Sequence, residues 1–128
     1  MRRVLLDTNV LIDFLRKPEA FVDTLGAYER IVLTPTVVGE FRAGISDTRL
    51  GRANLLALEE FMDNPAVEEL PLTSETGACY ARIYRALRAA GTPIPTNDIW
   101  LAAAALQHAC PLLTKDSHFS LVPSLSLA

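Results

Sequence analysis

The chain has 128 residues, of which 50% are hydrophobic and 21% are charged. At roughly 150 residues per domain, this length predicts one domain spanning residues 1–128, and the composition excludes a disordered or fibrous chain. The formal net charge of −3 argues against a protein that binds nucleic acid through a broad basic surface.

The cysteine count and the lengths of the apolar stretches predict the cellular location of the protein. Cys79 and Cys110 are too few for a disulfide framework and lack metal-site spacing, so we expect both thiols to be buried as small apolar groups. The apolar run at residues 4–6 is too short for a signal peptide. The longest apolar stretch, residues 99–106, is far shorter than the ~18 residues of a membrane span. We therefore expect a cytoplasmic protein that does not enter a membrane.

Short apolar runs alternate with helical patterns in the first half of the chain. Residues 4–6 are predicted to form a strand that leads at Asp7 into a helix, which stops at Pro18. A second helix follows to residue 25. Residues 31–33 are the next predicted strand, and Thr34 and Pro35 are typical of the start of the helix that follows it, through Ile45. Apolar spacing predicts a further helix over residues 47–62.

The second half continues the alternation. Residues 67–72 are a weak strand prediction, residues 74–90 a helix ended by Gly91, and residues 97–109 another helix. Residues 111–114 are a predicted strand, and residues 124–127 a possible edge strand. The order predicts an α/β fold with a mostly parallel central sheet of four or five short strands flanked by helices.

Four carboxylates occupy positions that favour a shared site, because ligands of parallel sheets bind beyond the carboxyl ends of the strands. Asp7 directly follows the first strand, and Asp116 follows a late one. Asp98 lies in the first turn of an apolar helix, and Glu40 lies on a helix beside buried positions. Together, four such groups would repel one another, and a divalent cation would remove this cost. Oxygen ligands alone suit Mg²⁺ or Mn²⁺ better than Zn²⁺, and such ions support phosphodiester hydrolysis.

Each carboxylate also has a purely structural interpretation. Asp7 would cap the helix that follows it, and Asp116 would be a turn residue. Asp98 would be a favourable charge at a helix N-terminus that is capped by Thr96 or Asn97. Glu40 would pair with an arginine such as Arg42.

Four segments in order resemble the PIN domain family, and within it the VapC-type toxin ribonucleases of bacterial toxin–antitoxin pairs. Their sequences are VLLDTNVLI at residues 4–12, VVGEF at 37–41, PTNDIWLAAAA at 95–105 and LTKDSHF at 113–119. The resemblance covers nearly the whole chain. It implies a three-layer α/β sandwich and a Mg²⁺-dependent endoribonuclease, with Mn²⁺ able to substitute.

The resemblance also implies roles for particular residues and partners. Its catalytic, metal-binding residues are Asp7, Glu40, Asp98 and Asp116, and its polar supporting residues are Asn9 and Thr114. It implies an RNA substrate, a homodimer, and an antitoxin whose C-terminal segment occupies the active-site groove. His118 is expected to pack with Phe119 below the site rather than to act as a base.

Two other functions and one surface stay open at this stage. A non-catalytic RNA-binding or scaffolding PIN domain would not need the metal. A Mg²⁺-binding receiver-like signalling domain would use Asp7 and Lys115, although such domains need an acidic pair after the first strand. Three arginines recur every three residues on the predicted helix over residues 74–90: Arg82, Arg85 and Arg88. They either contact RNA phosphates or form a solvated face of that helix. Trp100 lines the groove, an interface or the core.

Overall fold

The computed structural model describes residues 1–128 and has a four-stranded, fully parallel sheet at its centre. The strands are β1 (Arg3–Leu6), β2 (Arg30–Leu33), β3 (Val67–Glu69) and β4 (Leu112–Leu113), in the spatial order β3-β2-β1-β4. In the central strand β1, Leu5 lies opposite Val32 on one side and Leu112 on the other. The predicted sheet of short parallel strands is confirmed.

Six α-helices connect and cover the strands. They are α1 (Thr8–Arg16), α2 (Val22–Gly26), α3 (Pro35–Ala43), α4 (Arg49–Met62), α5 (Ser74–Ala90) and α6 (Thr96–Gln107). Two 3₁₀ turns, Pro18–Phe21 and Ser117–Leu121, complete the fold. As predicted, α5 ends at Gly91, which has the left-handed φ of 73° that favours glycine.

The sheet is covered on both faces. Val4, Leu5 and Leu6 are each 0% exposed, although successive side chains of a strand point to opposite faces. This pattern is typical of parallel sheets with helices on either side, which is the expected three-layer arrangement. In α6, residues 101–105 are all buried, and four of these five are alanines, which let the helix approach its neighbours closely.

Some predicted elements are shorter than expected. The predicted edge strand at residues 124–127 is wrong, because only Leu127 forms a bridge, to Leu112. The weak strand ends at Glu69, before Pro71, which has no N–H to donate to a ladder. Helix α6 begins at Thr96 with Pro95 as its N-cap, so neither Thr96 nor Asn97 caps it.

Both cysteines are buried free thiols, as expected. Every helix lacks either the length or the apolar character needed to cross a membrane.

Candidate active site

The site lies at the carboxyl edge of the sheet, where β1 and β4 end side by side. The Asp7 carboxylate is only 7% exposed and is held from two directions. The backbone N–H of Thr8 donates to Oδ1 at 2.7 Å, and the Thr114 hydroxyl donates to Oδ2 at 2.6 Å. Asp7 is thus the N-cap of α1, as its structural interpretation predicted. It is also a buried carboxylate that faces the end of β4.

Glu40 is held in the same region by two other helices. Its Oε1 accepts a hydrogen bond of 2.9 Å from the Thr8 hydroxyl, and its Oε2 accepts one of 2.7 Å from the Asn97 side-chain amide. These bonds tie α3 to α1 and α6. The expected pairing of Glu40 with Arg42 is wrong, since Glu40 forms no ion pair and Arg42 is exposed.

Sequence reasoning did not identify Thr8 and Asn97 as site residues. The available signal was their position, because each directly adjoins a carboxylate at the start of a helix.

Asp98, Asp116 and His118 form the outer part of the site. Nδ1 of His118 lies 3.2 Å from Asp116 Oδ1 and 3.5 Å from Asp98 Oδ2. One potential ligand atom from each of the three residues lies within 4.8 Å of the other two. Asp116 also caps the last 3₁₀ turn, because its carboxylate accepts a hydrogen bond of 2.9 Å from the His118 backbone N–H. The prediction that Asp116 is a turn residue is therefore confirmed.

The predicted packing of His118 with Phe119 below the site is wrong. Its side chain is 48% exposed and faces two carboxylates, whereas its neighbour Phe119 is fully buried. Adjacent residues of a tight 3₁₀ turn point about 120° apart, so Phe119 fills the core while His118 faces the site.

The electrostatics show that the four carboxylates share one region. Burial raises the pKa of Asp7; the hydrogen bonds from Thr114 and Thr8 oppose this rise, and the charges of Glu40 and Asp116 add to it. Burial likewise raises the pKa of Asp98. The hydrogen bond with His118 opposes this rise, and the charges of Asp7 and Asp116 add to it. An acidic cluster is therefore present, and no lysine or arginine pairs with any of its carboxylates.

Two buried oxygens at this edge of the sheet have no hydrogen-bond partner. They are Oδ1 of Asn9, two residues after Asp7, and Oγ1 of Thr34, directly after β2. Thr34 is the N-cap residue of α3, but its side chain makes no capping bond. A buried polar atom without a partner costs about 1–3 kcal/mol.

The remaining predicted residues lie elsewhere. Lys115 pairs with Asp13 of α1 rather than with Asp7, and its hydrogen bond lowers the pKa of Asp13. The lysine is thus not directed at the cluster, as the receiver-like alternative requires. The three arginines of α5 are exposed and form no ion pair with any acidic residue of the chain.

The fold is an α/β protein with a parallel sheet and a cluster of carboxylates at the carboxyl edge of that sheet. The pairing of Lys115 with Asp13 does not fit a receiver domain. The chain belongs to the PIN domain family, which it matches over residues 4–125. The resemblance drawn from the four sequence segments is confirmed.

Individual relatives make the family assignment more specific. Ribonuclease VapC4 of Mycobacterium tuberculosis is 29% identical over 127 residues, which cover 99% of this chain and 96% of that protein. VapBC-5 of the same organism, a solved member of the VapBC family of toxin-antitoxin systems, is 28% identical, with a TM-score of 0.73 and coverage of 100% and 97%. VapBC2 from Rickettsia felis, solved with a promoter DNA fragment, is 22% identical and shows the same fold, with a TM-score of 0.84 and coverage of 98% and 97%.

Proposed function

We propose that this protein is the toxin of a toxin–antitoxin pair, a cytoplasmic endoribonuclease that hydrolyses RNA phosphodiester bonds with Mg²⁺, for which Mn²⁺ can substitute. The observation that carries the proposal is the cluster of four carboxylates at the carboxyl edge of the sheet. Two of them have raised pKa values, and no lysine or arginine offsets their charge. The named relatives, ribonucleases and toxin–antitoxin proteins, support the same activity.

The residues present fit a divalent cation. The potential ligands are all carboxylate oxygens apart from the half-exposed His118, and hard cations such as Mg²⁺ prefer this chemistry. The unpartnered Oδ1 of Asn9 supplies a further polar atom at the same edge. The residues that would hold the cation are Asp7, Glu40, Asp98 and Asp116. When bound, the cation would supply an activated water and offset negative charge on the phosphoryl group.

The chain itself orients the carboxylates. Thr8 and Asn97 each fix one oxygen of Glu40, and Thr114 fixes one oxygen of Asp7. These bonds hold the buried Asp7 and the partly buried Glu40 in place before any ligand arrives, which reduces the cost of ordering them on binding. Asp98 and Asp116 are partly exposed and therefore within reach of a ligand from solvent.

A groove beside Glu40 supports an antitoxin partner. It has a volume of about 300 Å³ and lies between α1, α3 and α4, with Ile12, Phe41, Ile45 and Leu50 in its walls. An antitoxin segment would place apolar side chains in this groove and a basic side chain against the carboxylates, which would hinder both metal and RNA. We also propose that the toxin is a homodimer, as its family resemblance implies.

The test is RNA cleavage by the purified protein in Mg²⁺, beside an Asp98→Asn variant. We expect the variant to lose activity on the order of hundredfold or more, because the substitution removes a charge that acts on the cation and the reacting phosphate. Asp23→Asn, at an exposed position of α2, is the matched control and should cleave like the parent. Circular dichroism confirms that all three are folded. Equal cleavage by the Asp98 variant, or cleavage without divalent cations, would contradict the proposal.

A further inference from the structure

His118 brings an imidazole nitrogen into the carboxylate cluster, although it is not one of the four carboxylates assigned to the cation. Its Nδ1 atom lies 3.2 Å from Oδ1 of Asp116 and 3.5 Å from Oδ2 of Asp98. Imidazole nitrogen is a common ligand of transition-metal ions, whereas Mg²⁺ binds oxygen. A nitrogen at this place would therefore change which cation the site prefers.

The two contacts of Nδ1 are long for an ion pair. A charged N–H donor usually lies about 2.7–2.9 Å from a carboxylate oxygen. Two ligand atoms that each lie about 2.0–2.1 Å from one ion are about 3 Å apart in octahedral geometry and about 3.3 Å apart in tetrahedral geometry. The observed 3.2 and 3.5 Å fit atoms that share a cation better than atoms that share a proton.

The backbone holds the imidazole in this position. His118 belongs to the 3₁₀ turn Ser117–Leu121, and the next residue, Phe119, is fully buried and anchors the turn in the core. On the other side, the Asp116 carboxylate accepts a hydrogen bond of 2.9 Å from the His118 backbone N–H. Because the backbone is fixed before a ligand arrives, the imidazole loses less conformational freedom on binding.

The chain has only one other histidine, and it lies far from the cluster. His108 follows the end of α6, where its backbone oxygen accepts a hydrogen bond of 3.2 Å from Arg3 at the start of β1. Asp98 lies in the first turn of the same helix, and ten residues of helix span about 15 Å. An imidazole bound to an ion at the cluster can therefore be assigned to His118.

We propose that Nδ1 of His118 coordinates the divalent cation together with Asp98 and Asp116, and that it makes the site bind a first-row transition-metal ion such as Mn²⁺ more tightly than Mg²⁺. This inference rests on the metal site of the proposed function. In the competing interpretation, the imidazole is a charge partner of the two carboxylates and opposes the cation. The two interpretations predict opposite effects of removing the imidazole, since the loss of a ligand weakens binding and the loss of a competing charge strengthens it.

The experiment measures cation binding without RNA. The EPR signal of free Mn²⁺ gives the Kd for Mn²⁺, and competition gives the Kd for Mg²⁺. We expect His118→Gln to weaken Mn²⁺ binding about tenfold or more, because even residues behind the ligands change metal affinity by roughly ten- to a hundredfold. Mg²⁺ binding should change much less, since the glutamine side chain offers an oxygen. His108→Gln is the matched control and should bind both cations like the parent.

Pulsed EPR of the Mn²⁺-loaded parent gives a second readout that does not depend on any variant. We expect coupling of the Mn²⁺ electron spin to an imidazole nitrogen in the parent and in His108→Gln. The coupling should be absent in His118→Gln.

Several results would overturn the inference. They are a parent that binds no Mn²⁺, a parent spectrum without nitrogen coupling, an equal loss of affinity in His108→Gln, and tighter binding of both cations by His118→Gln. The ribonuclease activity is judged separately, by the cleavage assay with Asp98→Asn. A protein that binds Mn²⁺ through His118 but does not cleave RNA would support this inference and contradict the proposed function.

Discussion

Thr114 shows how one small side chain organises several parts of the site. Its hydroxyl donates to Asp7 Oδ2 at 2.6 Å and accepts from the Asp116 backbone N–H at 3.0 Å. It therefore fixes the buried carboxylate of Asp7 and the loop that carries the partly exposed Asp116. The family resemblance implies only a general supporting role for Thr114, because a hydroxyl directly after a strand has many possible partners.

Replacing Thr114 with valine keeps the volume and removes both hydrogen bonds. We expect RNA cleavage to fall about tenfold and stability to fall by about 1–3 kcal/mol, because a buried carboxylate loses a donor. Thr114→Ser restores the hydroxyl and should recover most of both losses. Cleavage rates and chemical unfolding of the two variants check the prediction, and a fully active, stable valine variant would contradict it.

At the scale of elements, the entry into α4 depends on a glycine. A Cβ atom built on Gly51 would lie 1.7 Å from the backbone oxygen of Ser46, in the segment that folds back over the first turn of α4. The Gly51 N–H also donates the capping hydrogen bond to the Thr48 hydroxyl, at 3.1 Å. The periodicity of residues 47–62 predicted the helix, but only the path of the preceding loop shows why this position must lack a side chain.

Gly51→Ala should therefore destabilise the protein by about 1–3 kcal/mol, since the clash is with backbone and forces the segment to move. Gly77→Ala is the comparison, because a Cβ at Gly77 in α5 meets nothing within 4 Å. This change should stabilise the protein by roughly 0.5–1 kcal/mol, as alanine is a better helix former. Urea unfolding of both variants measures the change in the free energy of unfolding. A change of the same sign in the two variants would contradict the prediction.

For the molecule as a whole, the acidic cluster links stability to pH and to divalent cations. The folded-state pKa values of Asp7 and Asp98 are raised above 3.8. Between 3.8 and the raised values, the folded state binds more protons than the unfolded state, so these two groups make the metal-free protein less stable as pH rises. At neutral pH, both groups oppose folding unless a cation neutralises them.

We therefore expect Mg²⁺ or Mn²⁺ at millimolar concentration to raise Tm at pH 7, because a ligand that binds only the folded state stabilises it. In EDTA at pH 7, Asp98→Asn should melt on the order of 3–5 °C above the parent, the shift that about 1 kcal/mol produces in a domain of this size. Its response to the cations should be smaller. Thermal melts followed by circular dichroism test this. An unchanged parent Tm on adding cations, or a lower Tm for the variant in EDTA, would contradict the prediction.

The sequence by itself determined the features that depend on local pattern. Apolar runs and helical spacing predicted the four strands and the main helices, since burial of β1, β2 and α6 requires such runs wherever the elements pack. The positions of Asp7 and Asp116 after strands predicted the edge at which they lie. The four segments together indicated the family that the comparison then showed.

Only the tertiary structure decided which side chains meet. The bonds from Thr8 and Asn97 to Glu40 join residues 32 and 57 positions apart, and no local pattern encodes such contacts. The direction of His118 and the contact of Tyr80 with Trp100 were undetermined for the same reason. Propensity and periodicity act within one element, whereas these contacts depend on how helices from distant parts of the chain pack around one sheet.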